Sequence, residues 1–295
     1  MLNNNLPELA CSLCKSHCAK LKYSVKRYDF YRCLDCGFVY VYPIPLKEEL
    51  KNIYQENDFY SEGFARGRGP EIYRRLKVIT KFHKPGNLLD IGCAAGFFLS
   101  LAKEHGWDTL GIELSKNLSD YACKELNLKV INQPLESVNL PEKTFDVITF
   151  WGVIEHVSEP VKFMEQATKL LKDDGLLCFA TNNLDGWMGR LMKDKFPFIS
   201  YPEHLWLFNI KTTRKLIEKV GLRIEHIDTF DTITMEKAIR GIGKIFSKNL
   251  AENSPKGFRI LMAVFTKAAQ PFLWLAGRLR LGSEIEVYAK KVKQR

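Results

Sequence analysis

No apolar run in the 295 residues reaches the roughly twenty needed to span a bilayer. The nearest, ILMAVFTKAAQPFLWLAG (260–277), is cut by Lys267, Gln270 and Pro271. The first residues, MLNNNLPELA, lack both the basic start and the apolar stretch of a secretory signal. No internal repeat or low-complexity tract is visible, and 46% hydrophobic with 26% charged residues excludes a disordered or fibrous chain. A cytoplasmic protein is therefore expected. In that reducing compartment eight cysteines are not a disulfide framework.

The chain is also short of acid: 34 acidic against 44 basic side chains leave a formal charge of +10. The deficit is uneven. Residues 1–84 carry +6, residues 85–181 carry −6, and residues 182–295 carry +10. An acidic middle between basic flanks suggests that different parts face different partners.

Four cysteines fall as Cys11-x-x-Cys14 and Cys33-x-x-Cys36, with 18 residues between the pairs. Two such knuckles suit tetrahedral Zn²⁺, each spanning one edge of the tetrahedron. Gly37 follows the second knuckle, and KYSVKRYDFYRC between the pairs reads as a β-hairpin. A zinc ribbon over residues 1–45 is expected. Its closed thiolate shell makes the metal structural, supplying folding energy to a piece too small for a core of its own. His17 and Cys18 are extra potential ligands, and a set using Cys18 stays open. Cys93, Cys123 and Cys178 read as ordinary core residues.

Residues 46–84 read as a helical linker or lid: a helix at LKEELKNIY, a Gly- and Arg-rich loop GFARGRGP, then a helix over 71–83. From residue 86 the pattern alternates. Strands are expected at NLLDIG, DTLGIEL, KVIN, FDVITFWGV, LLCFATN, LRIEHIDTF and SEIEVYAKKV. Helices are expected at FFLSLAKEHG, KNLSDYACKELN, EPVKFMEQATKLLKDDG and KTTRKLIEKVG. Apolar strands separated by helices of this length predict an α/β fold with a doubly wound, mostly parallel sheet.

Ligands of such sheets sit at the carboxyl ends of the strands. There the chain places DIGCAAG (90–96), spaced Asp-x-Gly-x-Ala-x-Gly and unlike the Gly-x-Gly-x-x-Gly of dinucleotide enzymes. Glu113 ends the second strand, and a carboxylate there can accept hydrogen bonds from both ribose hydroxyls. Small residues and two carboxylates specify a nucleoside rather than a pyrophosphate.

LLDIGCAAGFFL, GIELS, FDVITFWGVIEHVSEP and LLKDDGLLCFATNN, in that order, resemble class I S-adenosylmethionine (SAM)-dependent methyltransferases over about residues 86–230 and the last strand. The resemblance implies a seven-stranded Rossmann-like sheet over 85–295, preceded by the zinc ribbon. A front ribbon followed by such a domain, with HLWLF (204–208), also looks like a bacterial group tied to glycan or secondary-metabolite methylation. By the resemblance, Asp90, Gly92, Cys93, Ala94 and Gly96 would cradle the methionine and ribose of SAM, Asp90 facing its cationic amino group. Glu113 would hold the ribose, with Leu114, Leu135 and Glu136 about the adenine, and Trp151 and Gly152 near the sulfonium. The family usually has glycine where this chain has Ala94.

A hydroxyl or carbon acceptor needs a base. His204 in SYPEHLWLFN is one candidate, set against a histidine that only shapes its loop; Tyr201 is a weaker one. Glu155 and His156 would begin the helix after the fourth strand, where a carboxylate also satisfies the helix dipole. IEHV resembles quinone-pathway O-methyltransferases, but Gly152 stands where those have a further acid, so no catalytic metal is expected. Trp187, Phe196, Phe198, Tyr201, Trp206 and Phe208 would either wall the acceptor pocket or form core.

Residues 231–282 form a basic insertion, with Lys256, Arg259, Lys267, Gln270 and Arg278 on one helical stripe and Pro271 breaking it. It suits an active-site cap, a dimer face, RNA, or peripheral contact of 256–281 with the inner face of an anionic membrane. The expected activity is SAM-dependent methyl transfer to oxygen or carbon of a small-molecule, sugar or lipid-linked glycan acceptor. An RNA methyltransferase and a non-catalytic SAM-binding regulator are the rivals. Against RNA, no aromatic-basic stacking motif is found, and FWGV replaces an amino-methylation motif.

Overall fold

A computed structural model describes residues 10–25, 28–45, 69–199, 204–231 and 275–292. Its contacts divide the chain into two compact units. One comprises Met1–Pro43, Thr181–Thr213 and Ile227–Glu286; the other comprises Ile44–Ala180, Arg214–His226 and Val287–Arg295.

The first unit carries a four-stranded sheet. β1 (Ala19–Val25) and β2 (Tyr28–Cys33) form the expected antiparallel hairpin, and β3 (Val39–Tyr42) pairs antiparallel with β2. The fourth strand comes from far along the chain. β9 (Trp206–Leu207) lies antiparallel on β3, Tyr40 opposite Trp206 and Val39 opposite Leu207. Phe38 stacks on Trp206 at 5.6 Å between centroids with 5° between the planes, and its ring is 5.0 Å from that of Phe208. Trp206 is 2% exposed, and Phe208 and Phe196 are buried with it. For these three aromatics the core role holds, not a pocket wall. The helix α5 (Trp187–Met192) belongs to this unit, with the indole N–H of Trp187 donating to Asp231 at 3.0 Å.

The parallel strands of the seven-stranded sheet are built in the second unit. β4 (Asn87–Ile91) lies between β5 (Asp108–Ile112) and β7 (Phe145–Trp151), and β6 (Val130–Ile131) follows β5. β8 (Leu171–Asn182) pairs parallel with β7. With β10 (Leu222–Phe230) and β11 (Glu284–Lys291) the order is β10-β11-β8-β7-β4-β5-β6. This is the mostly parallel seven-stranded sheet expected. Leu88, Leu89, Val147, Ile148, Leu176 and Leu177 are fully buried, as both faces of a parallel sheet require.

The connecting helices are α1 (Gly69–Phe82), α2 (Phe97–Glu104), α3 (Lys116–Glu125) and α4 (Pro160–Leu170), and α6 (Ile210–Lys219) precedes β10. Ser115 caps α3, its hydroxyl accepting from the N–H of Leu118, and Pro160 opens α4 where its missing N–H costs nothing. α4 is shorter than expected. Residues 171–175 belong to β8, with Leu171 opposite Phe145 and Lys172 bonded to Asp146 at 2.8 Å. A Cβ on Gly175 would lie 3.0 Å from the Asp146 carbonyl of β7, so close strand approach wins over helix propensity there. Among the described residues no helix is long and apolar enough to cross a membrane.

Candidate cofactor site and thiolate cluster

β4, β5, β6 and β7 run parallel, so the residues that follow them gather along one edge of the sheet. The turn after β4 is stitched to β5: the N–H groups of Gly92 and Cys93 both donate to the Ile112 carbonyl, at 2.7 and 3.1 Å. Gly92 and Gly96 hold φ of 72° and 80°, the left-handed region that glycine enters freely. A Cβ on Gly92 would lie 2.6 Å from Val153 Cγ2, and one on Gly96 would lie 2.6 Å from Leu128 Cδ1. Backbone shape and packing inside the protein therefore account for part of this glycine requirement, besides any approach of a ligand.

Glu113 is fastened to that turn. Its Oε2 accepts the Ala94 N–H at 2.8 Å, and its Oε1 accepts the Ser115 N–H at 2.7 Å. Asn132 braces the backbone beside it, donating to the carbonyls of Glu113 and Leu114. Burial raises the Glu113 pKa while these N–H groups pull it back. Each carboxylate oxygen has two lone pairs, so two ribose hydroxyls fit the remaining ones.

Asp90 is 2% exposed, and its Oδ1 accepts the Thr149 hydroxyl at 2.6 Å. Burial pushes its pKa up to about 7, against the pull of Thr149 and of Arg75. Arg75 was not singled out from the sequence. It sits on α1, 3% exposed, 2.6 Å from Glu71 and with its guanidinium 4.3 Å from the Trp151 ring centre. Its one sequence signal is a cation on the apolar side of α1, beside the buried Leu76 and Ile79. Thr149 was missed as well; a lone hydroxyl inside FDVITFW was its signal.

The remaining positions along this edge are spread out. Trp151 ends β7, and its buried Nε1–H has no partner among the described residues. Gly152 follows with φ 69° and donates its N–H to Ala180. Leu135 and Glu136 lie in a single 3₁₀ turn after β6, Leu135 buried, and Leu114 is exposed. A buried cation acceptor, a fastened carboxylate and a left-handed turn on one edge fit SAM.

Glu155 and His156 do not begin a helix. They lie in a turn where the His156 N–H donates to Val153, and α4 starts only at Pro160. The dipole explanation for Glu155 is thereby removed, although the carboxylate is buried. Tyr201 lies outside the described residues, as does 232–274 of the basic insertion.

In the first unit, the Nδ1 of His204 meets the Phe198 carbonyl at 2.7 Å. A carbonyl only accepts, so Nδ1 carries the proton and Nε2 is the basic nitrogen. Burial pushes the His204 pKa down to about 4, leaving the ring neutral at physiological pH.

The sulfurs of Cys11, Cys14, Cys33 and Cys36 all lie within 4.8 Å of one another. Cys11 to Cys36 and Cys14 to Cys33 are both 3.5 Å. Four sulfurs about 2.3 Å from a tetrahedral zinc are about 3.8 Å apart, so this set fits the metal. The Cys36 thiol is drawn down to about 5 by the hydrogen bond from Cys11 and by the Phe38 N–H at 3.4 Å. Cys18 and His17 are exposed outside the cluster, and Cys123, expected in the core, is exposed on α3.

A family described as Methyltransferase domain matches residues 64–227. Among curated proteins, the chain is 31% identical over 116 residues to the ubiquinone biosynthesis O-methyltransferase of Coxiella burnetii (strain Dugway 5J108-111), covering 37% of this chain and 50% of that protein. It is 33% identical over 101 residues to the protein of the same name from Methylococcus capsulatus, covering 32% and 43%. The chain thus spans about half the length of the curated relatives it matches. Among solved structures, a SAM-dependent methyltransferase from Archaeoglobus fulgidus aligns with a TM-score of 0.52 at 20% identity, over 76% of this chain and 94% of that one. A Haemonchus contortus phosphoethanolamine N-methyltransferase 2 in complex with SAM aligns with 0.54 at 16%, over 83% and 60%. These structures share the fold, and the family match extends over more than half the chain: it belongs to the methyltransferase-domain family.

Proposed function

We propose that the chain binds SAM and transfers its methyl group to an oxygen of a small-molecule acceptor, a sugar or lipid-linked glycan included. One observation carries the reading. The Gly92–Gly96 turn and Glu113 are joined by the Ala94 N–H bond, so backbone and carboxylate present one fixed surface at the sheet edge. Transfer to oxygen is favoured over carbon because the similar curated proteins are named O-methyltransferases.

SAM would supply an activated methyl group; the protein's tasks are to orient it, exclude water and remove a proton. Glu113 accepts the ribose hydroxyls. Asp90 offers a buried anion to the ammonium group. Cys93 and Ala94 line the turn, Leu114, Leu135 and Glu136 flank the adenine, and Trp151 and Gly152 border the methyl. His204 is assigned the base, taking the acceptor's proton on Nε2. Tyr201, Glu155 and His156 are the alternatives for this step. Cys11, Cys14, Cys33 and Cys36 hold a structural Zn²⁺. The described end of the basic insertion exposes Leu275 and Leu279 beside Arg278 and Arg280, which supports an acceptor met at an anionic membrane surface.

The test is transfer of labelled methyl from SAM into an extract lacking this protein, divided into nuclease-sensitive, lipid and soluble pools. Label in the lipid or soluble pool, resistant to nuclease and lost with His204→Ala, is expected. Label removed by nuclease would replace this reading with the RNA one. No label from a protein that binds SAM would leave a regulator.

A further inference from the structure

The four-cysteine cluster and the His204–Asn209 segment lie far apart in sequence but are joined by one sheet, in which Cys33 ends β2 and Trp206–Leu207 form β9. The connection begins at the second knuckle. The Phe38 N–H points to Cys36 Sγ at 3.4 Å, the Phe38 carbonyl accepts the Cys33 N–H at 2.8 Å, and the Gly37 N–H returns to the Cys33 carbonyl at 3.0 Å. Phe38 is therefore tied by its backbone to two of the four sulfur-bearing residues. Its ring is buried and lies flat on Trp206.

From Phe38 the chain runs into β3. Val39 and Tyr40 pair with Leu207 and Trp206, and the Val41 N–H donates to the Leu205 carbonyl at 3.0 Å. The far side of the same segment is held by the end of β8. Asn182 donates to the Trp206 carbonyl at 3.0 Å and accepts the Phe208 N–H at 2.7 Å, and Leu184 N–H reaches the Phe208 carbonyl at 2.8 Å. A strand of two residues cannot hold its own conformation. It is ordered by what lies on each side, and one side is the metal-binding ribbon.

We propose that metal binding at Cys11, Cys14, Cys33 and Cys36 positions the His204–Asn209 segment, with Phe38 as the positioning residue that joins the two. The ribbon is thus a working part of this loop rather than an independent appendage. A small metal site contributes its binding energy to folding directly, so removing the metal melts β3 and takes one edge and the stacking partner from Trp206. This coupling of metal to loop order does not depend on whether the chain transfers a methyl group.

Amide hydrogen exchange on the full zinc-loaded chain tests it. Removal of zinc by a chelator is expected to speed exchange at both 37–42 and 204–209 by about tenfold or more, while 87–112 stays protected. Rapid exchange at 37–42 with unchanged protection at 204–209 would overturn the proposal, as would a purified chain that holds no zinc yet protects both segments. If chelation melts the whole chain, Phe38→Leu decides. With one zinc still bound per chain, it should speed exchange at 204–209 by about two- to tenfold, the worth of an aromatic pair. Unchanged exchange there would overturn the link through Phe38.

Discussion

Asp90 and Asp146 are near neighbours in kind: each is a lone acid in an apolar strand, on β4 and β7, which pair side by side. Their surroundings differ. Asp146, near the amino end of β7, accepts the Asn87 N–H at 2.8 Å and faces Lys172 at 2.8 Å. Burial alone would raise its pKa, but Lys172 and Asn87 outweigh burial and hold it below the usual value. Asp90, near the carboxyl end of β4, has the Thr149 hydroxyl and the pull of Arg75, too little to offset burial. One end of the sheet spends its carboxylate on fastening strands together. The other keeps a carboxylate short of positive charge, the state in which a cationic ligand gains most from meeting it.

Substitution separates the two most strongly. Asp90→Asn should weaken SAM binding by about 100-fold or more, the cost of removing one member of a buried charge pair. It should leave the fold intact and, at about pH 8, raise the unfolding midpoint, because an ionised buried acid has been removed. Asp146→Asn should do the reverse, costing about 2 kcal/mol of stability while SAM affinity stays within a factor of two or so. Calorimetric titration with SAM and thermal unfolding of both variants measure this. Equal losses of affinity in the two would dissolve the contrast.

The two carboxylates also respond to pH with opposite sign. Asp90 has a folded pKa above its unfolded one, so its stabilising contribution is present below about pH 4 and lost as the pH rises through about 7. Asp146 has a folded pKa below its unfolded one, so its contribution is present above about pH 4 and lost as the pH falls through the folded value. A cation beside Asp90 lowers its pKa, so SAM binding near neutrality should release a proton. Affinity should then tighten by about tenfold from pH 6 to pH 8 in wild type and stay flat in Asp90→Asn. Titrations in buffers of different ionisation heat count that proton; none released would mean that Asp90 is already ionised before SAM arrives.

The contrast also marks what was legible in the sequence. The strands β4 to β8 could be read because apolar runs buried on both faces have no other stable home, and the paired cysteines because ligand spacing is local. Arg75 was barely legible: Glu71 is an ordinary i,i+4 partner on the same helix, and Trp151 meets the guanidinium only once α1 has packed. β9 was hidden for a similar reason. Two residues have no periodicity, and its pairing with β3 spans more than 160 positions of chain. The end of α4 was misread because LLKDD continues a helical pattern, while the approach of Gly175 to the Asp146 carbonyl on β7 is tertiary.

The smallest effect lies in the turn itself. Ala94 holds φ 48°, between two glycines at 72° and 80°. A left-handed backbone costs an alanine about 1–2 kcal/mol, and glycine loses about 0.5–1 kcal/mol more entropy on folding. Ala94→Gly should therefore stabilise the chain by up to about 1 kcal/mol. The N–H that holds Glu113 survives the change, since it belongs to the backbone. SAM affinity should then stay the same or fall slightly, as a looser turn presents Glu113 less firmly. A denaturant midpoint that rises without a change in slope would place the strain at Ala94. A midpoint that falls would mean that the methyl group is itself packed against something the turn needs, and that this end of the sheet, like the Asp146 end, is built first for the fold.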